Sequence, residues 1–199
     1  KQNPSAVLVQ GLEKLSIDVA QRLLADTTRR SQVVGCVGSQ PNDQVCMTNF
    51  VKRIGRLFFR RALTAEESNT LVTFGIAQAQ SASSFDVGVE LVIRVLIQHP
   101  SFLYRLEQGP QLTAIEIASR LSFFIWGSCP DDALLQLAES GQLNTSAQVR
   151  SAAFNMLASS RAVSQIQKFH SMWLGYGGLA DDSLSVAMKQ EADLMVKRV

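Results

Sequence analysis

The sequence predicts an all-α protein of about eight helices in an orthogonal or bundle-like array. Apolar residues recur along most of the chain at three- and four-residue steps, which is the period of an amphipathic helix. Thr64 and Thr113 are each followed three residues later by a glutamate, which is the pattern of a capping box at a helix start. No segment shows the sustained apolar–polar alternation that is typical of strands.

The Gly109-Pro110 step divides the predicted helices into two subdomains, residues 1–109 and residues 110–199. In the first subdomain, two apolar stripes predict helices on either side of a loop that is rich in Gly, Pro, Asn and Asp. The stripes consist of Leu8, Leu12, Leu15, Val19, Leu23 and Leu24, and then of Phe50, Ile54, Leu57 and Phe58. A third helix follows Thr64. A fourth ends before His99-Pro100, because proline disfavours helical conformation in the residue that precedes it.

The second subdomain opens with the helix that the second capping box begins. Pro130 suits the first turn of the next helix, where its missing amide hydrogen has no cost. Asp131 and Asp132 then lie at the positive end of that helix dipole. A further helix is capped by Asn144 or Thr145.

The last strong helix is predicted from about residue 161 to residue 174. A helical pattern then continues to Val199 without a stop signal, and the chain begins at Lys1 rather than at a methionine. We therefore expect the chain to be an internal piece of a larger protein, with its second domain truncated at the C-terminus.

The composition is that of a globular protein with some apolar surface. Hydrophobic residues make up 46% of the chain and charged residues 18%, and the mean hydropathy is +0.08. Apolar surface of this kind is expected to lie against a partner domain. The net charge of +2 is too small to favour nucleic acid or an anionic membrane as a partner. The longest apolar runs are far shorter than the roughly 20 residues that span a bilayer, so no transmembrane segment is predicted.

Three cysteines are present, and two of them flank the loop between the first two apolar stripes. This loop can bring the sulfurs of Cys36 and Cys46 together, and a disulfide there would stabilise the fold by about 2–3 kcal/mol. Two free buried thiols are the alternative. A disulfide implies an oxidising compartment. Cys129 is then a small residue at a helix junction, or it pairs with a cysteine outside this chain.

No set of residues predicts a catalytic centre, a metal site or a cofactor site. The chain has no haem-attachment CxxCH, no HExxH and no P-loop, and the Gly127-Ser128-Cys129 junction lacks the strand and the pattern of a nucleophile elbow. His99 and His170 are its two histidines. His170 lies three residues before Trp173 and is the weak candidate for a cofactor ligand or general base, but a histidine packed against an aromatic neighbour is the favoured interpretation.

A basic stripe runs beside the second apolar stripe, and nucleic-acid binding is one interpretation of it. The near-zero net charge and the absence of interleaved aromatic residues argue against that interpretation. A solvated helix face, or ion pairing with Glu66, Glu67 and carboxylates of another domain, is favoured. The stripe consists of Lys52, Arg53, Arg56, Arg60 and Arg61.

Arg120 and Trp126 are expected to have architectural roles. They are six residues apart and so lie on different sides of a helix. We expect Arg120 to be half buried and to pair with a carboxylate such as Asp131 or Asp132. We expect Trp126 to fill the core between its own helix and the helix that carries Trp173, so that Trp126→Ala destabilises the protein more than Arg120→Ala does.

Several runs of residues resemble a pair of planctomycete-cytochrome-associated domains of unknown function. The runs ASRLSFFIWGS (118–128), PDDALL (130–135), MLASSR (156–161) and FHSMWLG (169–175) are similar to one of these domains. The runs FRRALTAEE (59–67) and VLIQHPSFLYR (95–105) are similar to the domain that precedes it. The resemblance extends from about Cys36 to the end of the chain.

The resemblance implies a large exported bacterial parent protein, found in the periplasm, on the outer surface or secreted. Such proteins often carry a c-type haem domain, and some carry carbohydrate-binding modules. The chain is then a structural or interaction module whose partners are other domains of the same parent, with a polysaccharide or a redox partner as further candidates. The alternative is a part of an oxidative or hydrolytic polysaccharide-active enzyme whose site is completed by other domains. The resemblance assigns no catalytic residue.

Overall fold

The computed structural model describes residues 5–105, residue 107 and residues 109–198, and these residues form helices, turns and loops without a strand. The prediction of an all-α protein is confirmed. The prediction of about eight helices was too low, because the described residues form eleven α-helices and one short 3-10 helix. The orthogonal or bundle-like arrangement stays a prediction.

The chain divides into two compact units, residues 1–108 and residues 109–199. The helices of the first unit are α1 (Ala6–Ala25), α2 (Thr27–Val34), α3 (Gln44–Phe59), α4 (Ala65–Ser81), α5 (Phe85–Gln98) and α6 (Pro100–Leu103). Those of the second unit are α7 (Ala114–Ile125), α8 (Asp132–Glu139), α9 (Ser146–Leu157), α10 (Ser160–Leu174), the 3-10 helix (Tyr176–Gly178) and α11 (Ser183–Arg198).

Local capping residues set most of these boundaries. Both predicted capping boxes form, at Thr64 and at Thr113, and a third forms at Thr145, where the sequence left the choice between Asn144 and Thr145 open. Asp26 starts α2 by accepting the amide hydrogens of Thr28 and Arg29. This cap separates α1 from α2, a helix that the apolar pattern did not predict.

The core of the first unit lies where α4 and α5 pack closely at two glycines. A methyl group on Gly88 would lie 2.4 Å from the carbonyl oxygen of Gly75, so only glycine permits this approach. Met47 of α3 fills the space beside both glycines, and it is fully buried. Val89 and Leu96 of α5 are fully buried as well, which makes α5 the central helix of this core.

Cys36 and Cys46 form the disulfide that the sequence predicted. Arg30 fixes the same loop from the side, because its guanidinium donates to the Asp86 carboxylate at 2.6–3.0 Å and to the Val37 carbonyl oxygen at 2.9 Å. The loop is therefore connected both to α3, through the disulfide, and to the start of α5, through Asp86.

This disulfide predicts a simple thiol count. Under denaturing, non-reducing conditions we expect one titratable thiol per chain, from Cys129, because Cys36 and Cys46 are bonded to each other. The same sample should give three thiols after reduction. Three thiols before reduction would show that the disulfide does not form in the isolated protein.

The second unit has a smaller core, formed mainly by α7, α8 and α9. Its fully buried residues include Ala118, Leu143 and Ala162, and Met156 and Leu134 are almost fully buried. Helices α10 and α11 continue from this core, and they leave most of their large apolar side chains exposed.

Candidate functional site

The run of residues 118–135 forms a junction where four helices meet. Trp126 follows α7, and its indole N–H donates to the carbonyl oxygen of Met156, near the end of α9, at 3.1 Å. Arg161, at the start of α10, places its guanidinium carbon 3.6 Å from the centroid of the Trp126 ring. The same guanidinium binds the carboxylate of Asp131, which caps α8 by accepting the amide hydrogen of Leu134 at 3.0 Å. Trp126, Arg161 and Asp131 thus hold the ends of four helices together.

The structure corrects the expected burial of Arg120 and its pairing with Asp131, whereas a pairing with Asp132 stays a prediction. Arg120 is exposed rather than half buried, and the Asp131 carboxylate is bound by Arg161. The reason is helical geometry, since Arg120 lies about 200° around α7 from the buried Ala118. Its side chain therefore points away from the core.

The structure also corrects the expected position of Pro130. Pro130 is buried and precedes the N-cap Asp131, so it lies before α8 rather than in its first turn. Trp126 is partly buried against the core, which includes Ala162 of α10, and it also contacts α10 through Arg161. Trp173 is 70% exposed and does not line that core.

Arg161 is the residue of this junction that sequence reasoning missed. Its position directly after the helix-starting Ser159-Ser160 pair was visible in the sequence. Its partners Trp126 and Asp131 lie 35 and 30 positions earlier, however, and no local pattern connects them.

His170 has the surroundings of a histidine packed on its own helix. Its Nδ1 lies 2.8 Å from the carbonyl oxygen of Ile166, one turn earlier, and its ring makes edge contacts with Phe169 and Trp173. Since a carbonyl oxygen only accepts, Nδ1 carries the proton. In the part of the chain that the structure describes, no group of three or more His, Cys, Asp or Glu side chains is placed to hold a metal ion.

Three arginines of the predicted basic stripe have specific partners within the first unit, and one of them, Arg53, donates to the carbonyl oxygen of Val33. The expectation of a solvated face was wrong for Arg60, which is only 5% exposed and donates to the carbonyl oxygens of Phe102 and Tyr104 at 3.1 and 2.9 Å. The expectation of ion pairing is confirmed for Arg61, whose two terminal nitrogens bind the Glu67 carboxylate at 2.7 and 2.8 Å.

His99 supports the same segment of the first unit. Its Nδ1 accepts the amide hydrogen of Ser101 at 3.1 Å, which caps the short helix α6. Its ring stacks on Phe59 at a centroid distance of 4.4 Å. The two histidines of the chain therefore both have structural contacts.

Glu67 provides a pH-dependent contribution to stability. The hydrogen bonds from Arg61 are the main reason that the pKa of Glu67 is lowered from 4.5 to about 2. A carboxyl group with a lowered pKa stabilises the fold fully above its unfolded pKa, and this stabilisation is lost as the pH falls toward the folded pKa.

We expect Glu67→Gln to remove this pH dependence. At pH 7 the variant should be less stable by about 1–2 kcal/mol, since both side chains of the ion pair are partly exposed and screened. Glutamine can still serve the capping box, so the change mainly removes the charge. Between pH 4.5 and pH 2 the difference from wild type should shrink. Urea unfolding at several pH values measures this difference in the free energy of unfolding. Glu66→Gln, at an exposed position of the same turn, is the control. A constant difference across this pH range would contradict the prediction.

The most prominent surface feature of the second unit is apolar. We call it the α10–α11 apolar face. On α11, Leu184, Met188 and Met195 follow one another at spacings of four and seven residues, so they share one side of the helix. Single exposed apolar residues are ordinary, but several large ones on one side of a helix favour contact with a partner. The name covers two exposed stripes, which consist of Phe169, Met172 and Trp173 on α10 and of Leu184, Met188, Leu194 and Met195 on α11, all at least half exposed.

Within the described residues, no helix has the length and apolar character needed to cross a membrane.

Comparison with family models accounts for most of the chain. Residues 46–107 match the model described as PSD5, a protein of unknown function (DUF1595), and residues 112–199 match PSD4, a protein of unknown function (DUF1592). The chain therefore carries two consecutive planctomycete-cytochrome-associated domains of unknown function, as the motifs indicated. A search of curated proteins and a search of solved structures each found no match.

Proposed function

We propose that this chain is a structural and interaction module of a large exported bacterial multidomain protein. In this proposal it connects and positions other domains of the parent protein, including a c-type cytochrome domain, in processes that involve extracellular polymers or electron transfer. The observation that carries the proposal is the α10–α11 apolar face, which is a surface suited to a protein partner.

The contacts of the family motifs support an architectural role. Trp126, Arg161 and Asp131 join the ends of four helices in the second unit. Arg60 and His99 bind the backbone of the α6 segment in the first unit. The side chains that carry the resemblance are thus used to hold the two units in shape.

The apolar face has the composition of a binding surface between domains. Phe169 and Trp173 stack at a centroid distance of 6.0 Å, and both are more than half exposed. An exposed tryptophan stacked on a phenylalanine is typical of the residues that dominate binding energy when a partner covers them. We propose that the partner is another domain of the same parent protein.

The disulfide supports export. Cys36 and Cys46 form a bond that persists in oxidising compartments, such as the periplasm or the cell exterior, and is rare in the cytosol.

The experiment measures binding between this chain and the remaining domains of its parent protein, produced separately. We expect Trp173→Ser and Met195→Ser each to weaken the association by about tenfold or more, because each removes a large apolar side chain from the covered surface. Phe154→Ser is the matched control, since Phe154 is 60% exposed in the same unit but lies outside the α10–α11 apolar face.

The fluorescence of Trp173 gives an independent measurement. Its emission should shift to shorter wavelength on association, because the exposed indole becomes buried. If Trp173→Ser and Met195→Ser bind the parent domains as tightly as wild type does, the α10–α11 apolar face is not the docking surface and the proposal fails.

A further inference from the structure

A small polar cavity lies on the other side of α11 from the apolar face. It has a volume of about 220 Å³ and is bordered by α10, the 3-10 helix and α11. Asp193 and Lys189 lie at least about 100° around α11 from Leu184 and Met188, so the cavity and the apolar face are separate surfaces. The polar side chains at the cavity are Gln167, Lys168, Ser171, Tyr176, Lys189 and Asp193.

The negative side of this cavity is held in a fixed position. The Tyr176 hydroxyl donates to one oxygen of the Asp193 carboxylate at 2.7 Å, and the side-chain amide of Gln167 donates to the Asp193 backbone carbonyl at 3.3 Å. The hydrogen bond to Asp193 raises the pKa of Tyr176 above its ordinary value, so the phenol stays neutral and keeps donating. Asp193 therefore presents a negative charge in a defined orientation.

The positive side is formed by two lysines. Lys189 is 24% exposed, and its ammonium group pairs at 3.0 Å with Asp181, whose side chain is 96% exposed. An ion pair with so exposed a partner is weak, and an ammonium group has three N–H donors, so Lys189 can donate to a ligand as well. Lys168 is exposed at the same cavity, one helical turn before Ser171.

We propose that this cavity binds a small zwitterion that carries an ammonium and a carboxylate group on one carbon atom, as a free α-amino acid does. The ammonium group pairs with Asp193, and the carboxylate accepts hydrogen bonds from Lys168, Lys189 and the hydroxyl of Ser171. An anion alone would meet the negative charge of Asp193, and a cation alone would meet two lysines, so the mixed charges select against both. The volume is below the roughly 300 Å³ at which ordinary ligand pockets begin, so the ligand has a short side chain.

L-alanine and its two halves test this proposal on the intact chain. Propionate is alanine without the amino group, and ethylamine is alanine without the carboxylate. Each compound is titrated into the protein, and amide chemical shifts are followed by NMR. We expect L-alanine to shift the amides of residues 167–171 and 189–193, and to bind about fivefold or more tightly than either half, because each half loses one charge-assisted contact.

Three variants locate the site. Asp193→Asn keeps an oxygen that can accept from Tyr176 but removes the negative charge, and Lys168→Met removes one positive charge at an exposed position. Each should weaken L-alanine binding by about fivefold. Lys52→Met, at an exposed lysine of the first unit, should leave it unchanged. Far-UV circular dichroism checks that each variant is folded.

Several outcomes would overturn the proposal. Propionate that binds as tightly as L-alanine would make the cavity an anion site, and glucose that binds in its place would make it a site for neutral hydroxyl groups. Shifts that are unaffected by Asp193→Asn would place the ligand elsewhere. If neither L-alanine nor its halves shift the cavity amides at their highest soluble concentrations, the cavity is not a site for this class of ligand.

Discussion

Trp126→Ala is expected to lower the free energy of unfolding of the second unit by about 3–5 kcal/mol. The indole ring packs against the core, and its N–H donates to the carbonyl oxygen of Met156 at 3.1 Å. Its removal also takes away the surface on which the guanidinium of Arg161 lies. The loss therefore combines a cavity, a lost hydrogen bond between Trp126 and the end of α9, and a weakened connection between α7 and α10.

Trp173→Ala is the matched control, because it removes the same side chain from an exposed position. Its effect on stability should stay within about 0.5 kcal/mol. Urea unfolding followed by far-UV circular dichroism measures both variants. Should Trp126→Ala keep the stability of wild type while the parent protein loses an activity, Trp126 would belong to a functional site and its architectural role would be wrong.

The features that the sequence predicted well are local ones. Each capping box, at Thr64 and at Thr113, forms between two residues three positions apart. The sequence pattern alone was therefore enough to predict it. The disulfide between Cys36 and Cys46 is likewise local, since a ten-residue separation and a flexible loop make the pair geometrically accessible. The helical period accounts for the all-α class in the same way.

The features that the sequence did not predict depend on distant partners. Arg161 joins Trp126 to Asp131 across 30 or more positions, and helical periodicity carries no information about such contacts. The exposure of Arg120 is different, because its position relative to Ala118 on the helix could have been calculated from the sequence. The α10–α11 apolar face was foreseen only as a general excess of apolar residues, since the same spacing also describes a buried helix.

Arg60 shows why a charged residue in an apparently basic stripe can be central to a fold. It follows α3 with a φ angle of +57°, a left-handed conformation that ends the helix and turns the side chain inward. The guanidinium then donates to four backbone carbonyl oxygens, those of Phe58, Ser101, Phe102 and Tyr104. It satisfies the carbonyl groups around α6, which is a single turn of helix.

We expect Arg60→Ala to destabilise the first unit by about 3–4 kcal/mol. The change leaves several of these carbonyl groups without a donor. It also keeps a Cβ-bearing residue in the left-handed region without the hydrogen bonds that offset this strain in wild type. Arg60→Gly separates the two causes. Glycine removes the side chain but adopts a positive φ freely, so it should be less destabilising than alanine by about 1 kcal/mol.

Arg29→Ala, at a position where the side chain is 67% exposed, should change the stability by less than about 0.5 kcal/mol. Thermal and urea unfolding measure all three variants, and hydrogen exchange at the amides of residues 101–104 reports on the α6 segment directly. Protection of those amides that is unchanged in Arg60→Ala would show that Arg60 does not hold this segment, because opening of the segment must accelerate exchange there.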